Sequence, residues 1–361
     1  MKNKNLKISF CTVCMNRLHH LKETLPKNIK DNLDYENIEF VVLNYNSTDG
    51  MDAWIKTEMK EFLDIGVLKY YHTEEPKNFH MTHSKNVAAK LGTGDILCNV
   101  DADNFTGSGF ADYINTVFKN DQDIFLAVNK NMTQKDCFGR ICIIKEDFLI
   151  LRGYDEQMNG YGFDDYDLWN RLELLGRKFK YIEDNSYLKA LTHTDSERIE
   201  NEYNPKGIKR IYVRFINHAI SELLYLFEKR NFFIGKIVIN RLINSESTDN
   251  IFVENRVFEY SNSLFNDTWE IGKWDNTKNG IELFINDNSK VELINKEHGK
   301  LGALNTSELK EFYPIFEKTI FNDMVMFFSQ ISNRIIMKRN LKAKKVSVNK
   351  NSFGKVNLLA L

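Results

Sequence analysis

Ile96-Leu97-Cys98-Asn99-Val100-Asp101-Ala102-Asp103 sets a short, mostly apolar run directly against two carboxylates. Five residues of this kind after Gly92 and Gly94 read as a buried strand rather than a helix. The carboxylates then stand at its C-terminal end. Upstream, Thr82 to Leu91 carries a helical pattern, which the two glycines stop. Further back the same alternation continues. Leu6 to Val13, Ile38 to Leu43 and Val67 to Tyr71 read as strands, and Arg17 to Ile29 and Asp52 to Leu63 as helices. Strands alternating with helices predict an α/β domain with a mostly parallel sheet. In such sheets, ligands bind beyond the carboxyl ends of the strands. The polar clusters fall there: Asn16-Arg17, Asn44 to Asp49, and Asp101 to Asp103.

The 361 residues give a prior of about two domains. Hydrophobic residues at 42% and charged residues at 27% are those of a globular chain. A net charge of −1 gives no basic field, so nucleic acid is not expected as a partner. No run of ~18 apolar residues is present, and Met1 to Lys7 lacks the apolar core of a signal peptide. With five cysteines, an odd number, this places the expected location in the cytoplasm. Abundant Asn, Lys and Ile give the composition a bacterial look.

From about Ile208 the alternation ends. Residues 208–245 read as one or two helices, and residues 251–300 as a small antiparallel β unit. Ile281 to Ile285 and Val291 to Ile294 flank a turn at Asn286-Asp287-Asn288-Ser289. Residues 307–345 return to helix. The expected division is therefore 1–207 for the α/β domain and 208–361 for an α+β extension.

Three constellations carry chemistry. Two carboxylates at i and i+2, Asp101 and Asp103, offer hard oxygen ligands for Mn²⁺ or Mg²⁺. By spacing alone such a pair is more often a solvated turn; its place at a strand end favours the ligand role. Gly160-Tyr161-Gly162-Phe163-Asp164-Asp165-Tyr166-Asp167 is a glycine-aromatic loop running into an acidic helix start. Acidic residues suit a first helical turn for structural reasons alone. Three within four residues exceed that need, and a carboxylate at a pocket wall suits a general base. The third constellation is His193 within Leu191-Thr192-His193-Thr194-Asp195.

Together these motifs resemble the GT-A fold of inverting glycosyltransferases. They are similar to bacterial polysaccharide and lipopolysaccharide transferases, with a leaning toward β-1,4-galactosyltransferases and chondroitin-polymerase-like enzymes. Asn16-Arg17 followed by Leu21-Lys22 resembles the nucleotide-contacting segment after the first strand. Asn44 to Gly50 resembles the segment whose last Asp, here Asp49, meets the uracil-ribose side. Lys85-Asn86 resembles a basic-Asn pair near the diphosphate. Asp101-Ala102-Asp103 matches the metal motif, with Asp101 toward the donor and Asp103 on the metal. Tyr161-Gly162-Phe163-Asp164-Asp165 resembles the Trp-Gly-Gly-Glu-Asp acceptor motif. This implies Asp165 as catalytic base, Asp164 as its substitute, and Tyr161 and Gly162 as acceptor contacts. His193 resembles a metal-binding histidine. Phe163 stands where the motif has a glycine, Asp164 where it has a glutamate, and Tyr161 where it has a tryptophan.

The resemblance implies a metal-dependent transferase moving Gal, GalNAc, Glc or GlcNAc from a UDP-sugar to a growing cell-surface glycan, lipid-linked or free. Two rivals remain. A nucleotidyltransferase needs a glycine-rich phosphate loop, and Cys11 to Arg17 contains no glycine. A non-catalytic carbohydrate-binding protein on a transferase scaffold has no need of an intact Asp103, Asp165 and His193.

Weaker signals receive bland readings. Cys11-x-x-Cys14 lies in a strand with no second pair at matching spacing, so packing is expected. His80 and His83 could share a metal at i, i+3, or lie on the surface. Trp269 and Trp274 could stack on a sugar or fill a small core. Residues 324–345 combine Val325, Phe328, Ile331 and Ile335 with a run of Lys and Arg. That pattern fits either a helix packed on the enzyme or a peripheral contact with the inner face of the cell membrane.

Overall fold

The computed structural model describes residues 5–129, 135–217, 220–238, 240–242, 256–258, 268–286, 289–303 and 310–359. The chain divides into two compact units. One comprises Met1–Thr194 together with Ile336–Leu361, and the other Asp195–Ile335.

The first unit opens with β1 (Ile8–Cys14), α1 (Leu18–Lys30), β2 (Ile38–Tyr45), α2 (Met51–Glu58), α3 (Lys60–Asp64) and β3 (Leu68–Thr73). It continues through α4 (Met81–Leu91), β4 (Ile96–Asn99), β5 (Asn104–Phe105), α5 (Phe110–Asn120) and β6 (Ile124–Ala127). Then come β7 (Cys142–Ile144), α6 (Lys145–Leu151), α7 (Asp164–Leu174), β8 (Lys178–Tyr181) and β9 (Lys189–Ala190). Seven strands form one sheet in the order β3-β2-β1-β4-β7-β6-β8. The pairs β1–β2, β2–β3, β1–β4 and β6–β8 are parallel, and β7 is antiparallel to both β4 and β6. This is the mostly parallel sheet flanked by helices that the alternation predicts.

Successive side chains of a strand face opposite ways, which divides the core in two. Phe10, Val42 and Cys98 join one cluster with helices α1 and α5. Cys11, Val41, Leu43 and Leu97 join the other with α4, α6 and α7. All eight residues of β2 are buried, as expected for a strand covered on both faces. The five cysteines are free and buried, in line with packing rather than redox use.

The second unit begins with α8 (Asp195–Ile199) and α9 (Asn204–Gly207). Its strands are β10 (Ile208–Phe215), β11 (Ile220–Phe227), β12 (Asn231–Val238), β13 (Asn240–Leu242), β14 (Arg256–Phe258), β15 (Glu270–Asn276), β16 (Gly280–Asn286), β17 (Ser289–Asn295), β18 (Leu301–Gly302) and β19 (Tyr313–Pro314). Eight of them pair as an antiparallel sheet, β18-β17-β16-β15-β12-β11-β10-β19. The hairpin expected around residues 286–289 is present, although 287–288 lie outside the described residues.

The helices expected over 208–245 are corrected here to strands. In β11 every residue from Ser221 to Phe227 is buried. A strand buried on both faces loses the period-two signal, and its apolar run then looks like a buried helix. Trp269 and Trp274 are buried, and their indole N–H groups donate to Ser332 Oγ and the Phe227 carbonyl. They fill cores on the two faces of this sheet.

The chain's last helix, α10 (Lys318–Lys342), starts in the second unit and ends in the first. Met324, Val325, Phe327, Phe328 and Ile331 are buried against Tyr225 and Phe227 of the second unit's own sheet. Of the two readings of residues 324–345, the packed helix accounts for the apolar stripe, whose residues are core. Among the described residues no helix is long and apolar enough to cross a membrane.

Candidate active site

The site lies at the carboxyl ends of β1, β2 and β4. Strand β4 delivers Asn99, and the chain then turns through Val100 to Asp101 and Asp103. Asn99 Nδ2 donates to Asp101 Oδ1 at 3.0 Å and to the Gly139 carbonyl at 2.9 Å. Residues two apart along an extended chain face the same way, which is how Asn99 reaches Asp101. Burial pushes the Asp101 carboxyl above its ordinary range, and the charge of Asp103 adds to this against the Lys85 ammonium.

Asp103 Oδ2 lies 2.7 Å from His193 Nε2, and its Oδ1 accepts from Asn104 Nδ2 at 2.9 Å. Burial alone would raise the Asp103 carboxyl; the hydrogen bond and charge of His193 outweigh it and hold it below its usual range. The short pair β5–β9 brings His193 here, since β9 ends three residues before it. A carboxylate oxygen and an imidazole nitrogen converging on one point form a donor set suited to Mn²⁺ as well as Mg²⁺. The residues present thus fit a divalent cation.

Asp164 and Asp165 open helix α7, and the preceding loop is built on positive φ angles. Gly160 has φ 77°, Gly162 φ 99° and Phe163 φ 67°. Phe163 therefore occupies, with a side chain, a conformation that favours glycine. The tight turn sets both carboxylates against Lys85 of α4. Lys85 Nζ donates to Asp164 Oδ2 at 2.8 Å and to Asp165 Oδ1 at 3.0 Å. The Asp164 side chain is 4% exposed and that of Asp165 14%. Asp165 is thus the one of the two that faces the site. Burial and then the charge of Asp164 push the Asp165 carboxyl up to about 7, against the pull of Lys85.

Gly139 joins the two halves. A Cβ there would meet Asp101 Oδ2 at 2.9 Å and Asp165 Oδ2 at 3.5 Å. The metal-motif carboxylate and the candidate base therefore converge on one backbone position, where a side chain would displace Asp101 Oδ2. Sequence reading missed Gly139, and no local motif marks it. Asn99 was legible in principle, through its parity with Asp101.

Where the sequence suggests nucleotide contacts, the turns after β1 and β2 interlock. Asn16 has φ 56°, and its Oδ1 accepts from Thr48 N at 2.8 Å. Asp49 Oδ2 accepts from Leu18 N at 2.8 Å, at the start of α1. Asn16, Arg17 and Asp49 are thus brought together, as their sequence positions suggest. Asn86 is not brought in, and its expected donor role is corrected. Its Nδ2 donates to the Tyr154 carbonyl and Glu156 Oε1, both at 2.9 Å, and its Oδ1 accepts from Tyr154 N at 2.7 Å. With every polar group engaged and no exposure, it fastens the 154–156 loop. His80 and His83 are structural as well. His80 Nδ1 accepts from His83 N, and His83 bridges Tyr45 Oη and the Lys355 carbonyl.

The profile of Glycosyl transferase family 2 matches residues 9–127. That described as the N-terminal domain of galactosyltransferase matches residues 125–194. Residues 9–194 form a glycosyltransferase domain of the GT-A fold. No curated protein matches the chain in sequence. Among solved structures it is similar to the mannosyltransferase PcManGT from Pyrobaculum calidifontis in complex with GDP-Man and Mn²⁺. Identity there is 19%, TM-score 0.42, with 51% of this chain and 56% of that one covered. It is also similar to S. aureus TarS 1–349, at 16% identity and TM-score 0.42, covering 53% and 61%. The chain thus spans less than two thirds of either structure's length.

Proposed function

We propose that the chain is a nucleotide-sugar glycosyltransferase that inverts configuration at the anomeric carbon in a single displacement. The meeting of Asp101 and Asp165 over Gly139, with the Asp103–His193 pair two residues on from Asp101, carries this reading. Asp165 Oδ2 accepts the proton of the acceptor hydroxyl, and the oxygen attacks the anomeric carbon from the side opposite the leaving diphosphate. Asp164 anchors the helix start. Asp103 and His193 would hold Mn²⁺ or Mg²⁺, which offsets the charge developing on the diphosphate when bound. Asn16, Arg17 and Asp49 hold the nucleotide, Asp101 contacts the donor's ribose or sugar, and Tyr161 and Gly162 line the acceptor side.

The donor we infer is a UDP-sugar carrying Gal, GalNAc, Glc or GlcNAc. The acceptor is a hydroxyl of a cell-surface glycan, extended on the cytoplasmic side. The galactosyltransferase profile over 125–194 supports the hexose class. Calorimetry with UDP and GDP, with and without Mn²⁺, tests the reading, together with hydrolysis of a panel of UDP-sugars and GDP-mannose. UDP affinity that rises with Mn²⁺ and falls to the metal-free level in Asp103→Ala is expected. Equal affinity with and without Mn²⁺ refutes the metal assignment, and absence of any nucleotide affinity refutes the transferase reading.

A further inference from the structure

Taking the transferase reading as its basis, we propose that Lys85 is the positioning residue of the base rather than a ligand of the donor diphosphate. Its ammonium clamps Asp165 by Oδ1 and leaves Oδ2 for the acceptor.

The geometry of the lysine argues for this. Its side chain is 7% exposed, and Nζ sits 2.8 Å from Asp164 Oδ2 and 3.0 Å from Asp165 Oδ1. The Tyr154 ring lies 5.0 Å from Nζ. Behind the lysine is a small cavity walled mainly by Ala89, Leu97, Ile141, Ile143, Phe148 and Leu168. An ammonium cannot relax into that apolar wall without losing its partners. Turning toward a diphosphate would leave Asp164 and Asp165 buried and unpaired, which is the costly way to break a buried ion pair.

The clamp also resolves a conflict within helix α7. Adjacent residues on a helix project about 100° apart, yet here both carboxylates reach one nitrogen. Asp165 further faces Asp101 across Gly139. The charged and titratable groups around it are therefore Asp164 on its own helix, Asp101 after β4, Lys85 on α4, and Tyr154. Three carboxylates around a single ammonium leave Asp165 dependent on that ammonium for its ionised form. Burial and the neighbouring carboxylates push it up to about 7 even with Lys85 in place.

Lys85→Met and Lys85→Arg in the full chain test the proposal, with UDP binding and hydrolysis of a UDP-sugar as readouts. The methionine variant is expected to lower kcat by ~10²-fold or more, the range set by loss of a general base. Its acid limb should move up by at least one pH unit, with UDP affinity within about threefold of wild type. Arginine, which cannot lose its charge, should restore the limb and part of kcat. A loss of UDP affinity beyond tenfold with an unmoved acid limb overturns the proposal and returns Lys85 to the diphosphate. Should the methionine variant not fold, the arginine variant decides alone, since a tenfold loss of UDP affinity there has the same meaning. If wild type itself binds no nucleotide, the transferase reading fails instead. Carboxyl ¹³C titration of Asp165 in wild type and Lys85→Arg against Lys85→Met still reads the clamp, and identical Asp165 midpoints in all refute it.

Discussion

Asn340→Ala tests whether the end of the chain holds the transferase domain together. Asn340 lies near the end of α10 and is 2% exposed. Its Nδ2 donates to Asp155 Oδ2 at 2.8 Å and to Asp167 Oδ1 at 3.0 Å. Both carboxylates are buried, and Asp167 Oδ2 also accepts from Arg171 Nε at 2.7 Å. One amide thus ties the loop before the active-site turn to the helix that carries Asp164 and Asp165. Hydrogen bonds to charged groups contribute about 1.5–3 kcal/mol each, so removing both costs roughly 3–5 kcal/mol. In a domain of this size each kcal/mol moves Tm by ~2–4 °C, giving an expected fall of roughly 6–20 °C. Arg339→Ala is the matched control. It removes an exposed bond to Gln157 Oε1, and exposed substitutions typically stay within about ±0.5 kcal/mol. Near-UV circular dichroism followed on heating measures both. If the two variants melt within 2 °C of each other, the docking of residues 336–359 carries little weight and the reasoning fails.

Gly139→Ala should lower donor turnover at least ~10-fold with little loss of fold, because its Cβ would press on Asp101 Oδ2 at 2.9 Å while ~1 Å of misplacement can cost 10²-fold; wild-type turnover refutes the convergence. Phe163→Val should destabilise by about 1–2 kcal/mol relative to Phe163→Gly, since a β-branched residue at φ 67° is strained; paired urea titrations check it. Turnover should show an acid limb near pH 7 that vanishes in Asp165→Asn, because the base must be ionised and burial raises Asp165 to about 7. The same shift has an opposite sign for stability. The folded chain holds this proton more tightly than the unfolded chain, whose carboxyl titrates at the ordinary 3.8. Its contribution is full below that value and is lost as pH rises through about 7, which urea titrations at pH 4 and pH 8 on wild type and Asp165→Asn would read.

What the sequence made legible follows local signals. Strands β1 to β4 stood out because Gly92, Gly94 and the polar clusters bracket them, and strand ends in parallel sheets gather ligands. Asp101, Asp103, His193 and Asp165 could be singled out as candidates because each lies in a short motif. The residues missed act across long separations. Gly139 matters only because Asp101 and Asp165 meet over it, and Asn86 had its role misread because its partners, Tyr154 and Glu156, lie about seventy residues on. Strand β11 was missed for a different reason. Burial on both faces erased the alternation that distinguishes a strand from a buried helix.

The terminal segment shows why a basic stretch is a poor guide by itself. Residues 336–359 have six lysines and one arginine, and the basic charge over 324–345 left a surface partner as one of two readings. The structure instead engages their backbone and amides. Asn349, at φ 52°, donates to the Arg152 and Tyr154 carbonyls and accepts from Glu156 N. Gly354 N donates to Glu156 Oε1, the oxygen that also takes Asn86 Nδ2. Leu359 N donates to the carbonyl of His72 in β3. The bonds of Asn349 and Gly354 tie the terminal segment to the 152–156 loop, whose Tyr154 carbonyl and Glu156 carboxylate also take Asn86. The transferase domain therefore has two stretches of chain with the whole second unit between them, and its last contacts form only after that unit is made. Contacts of such long separation carry the largest loop-closure cost, so their hydrogen bonds must be well satisfied to persist. Asn340 and Asn349, each bonded to two or more groups of the loop or of α7, meet that requirement, whereas the surrounding lysines serve mainly to keep the outer face of the segment in water.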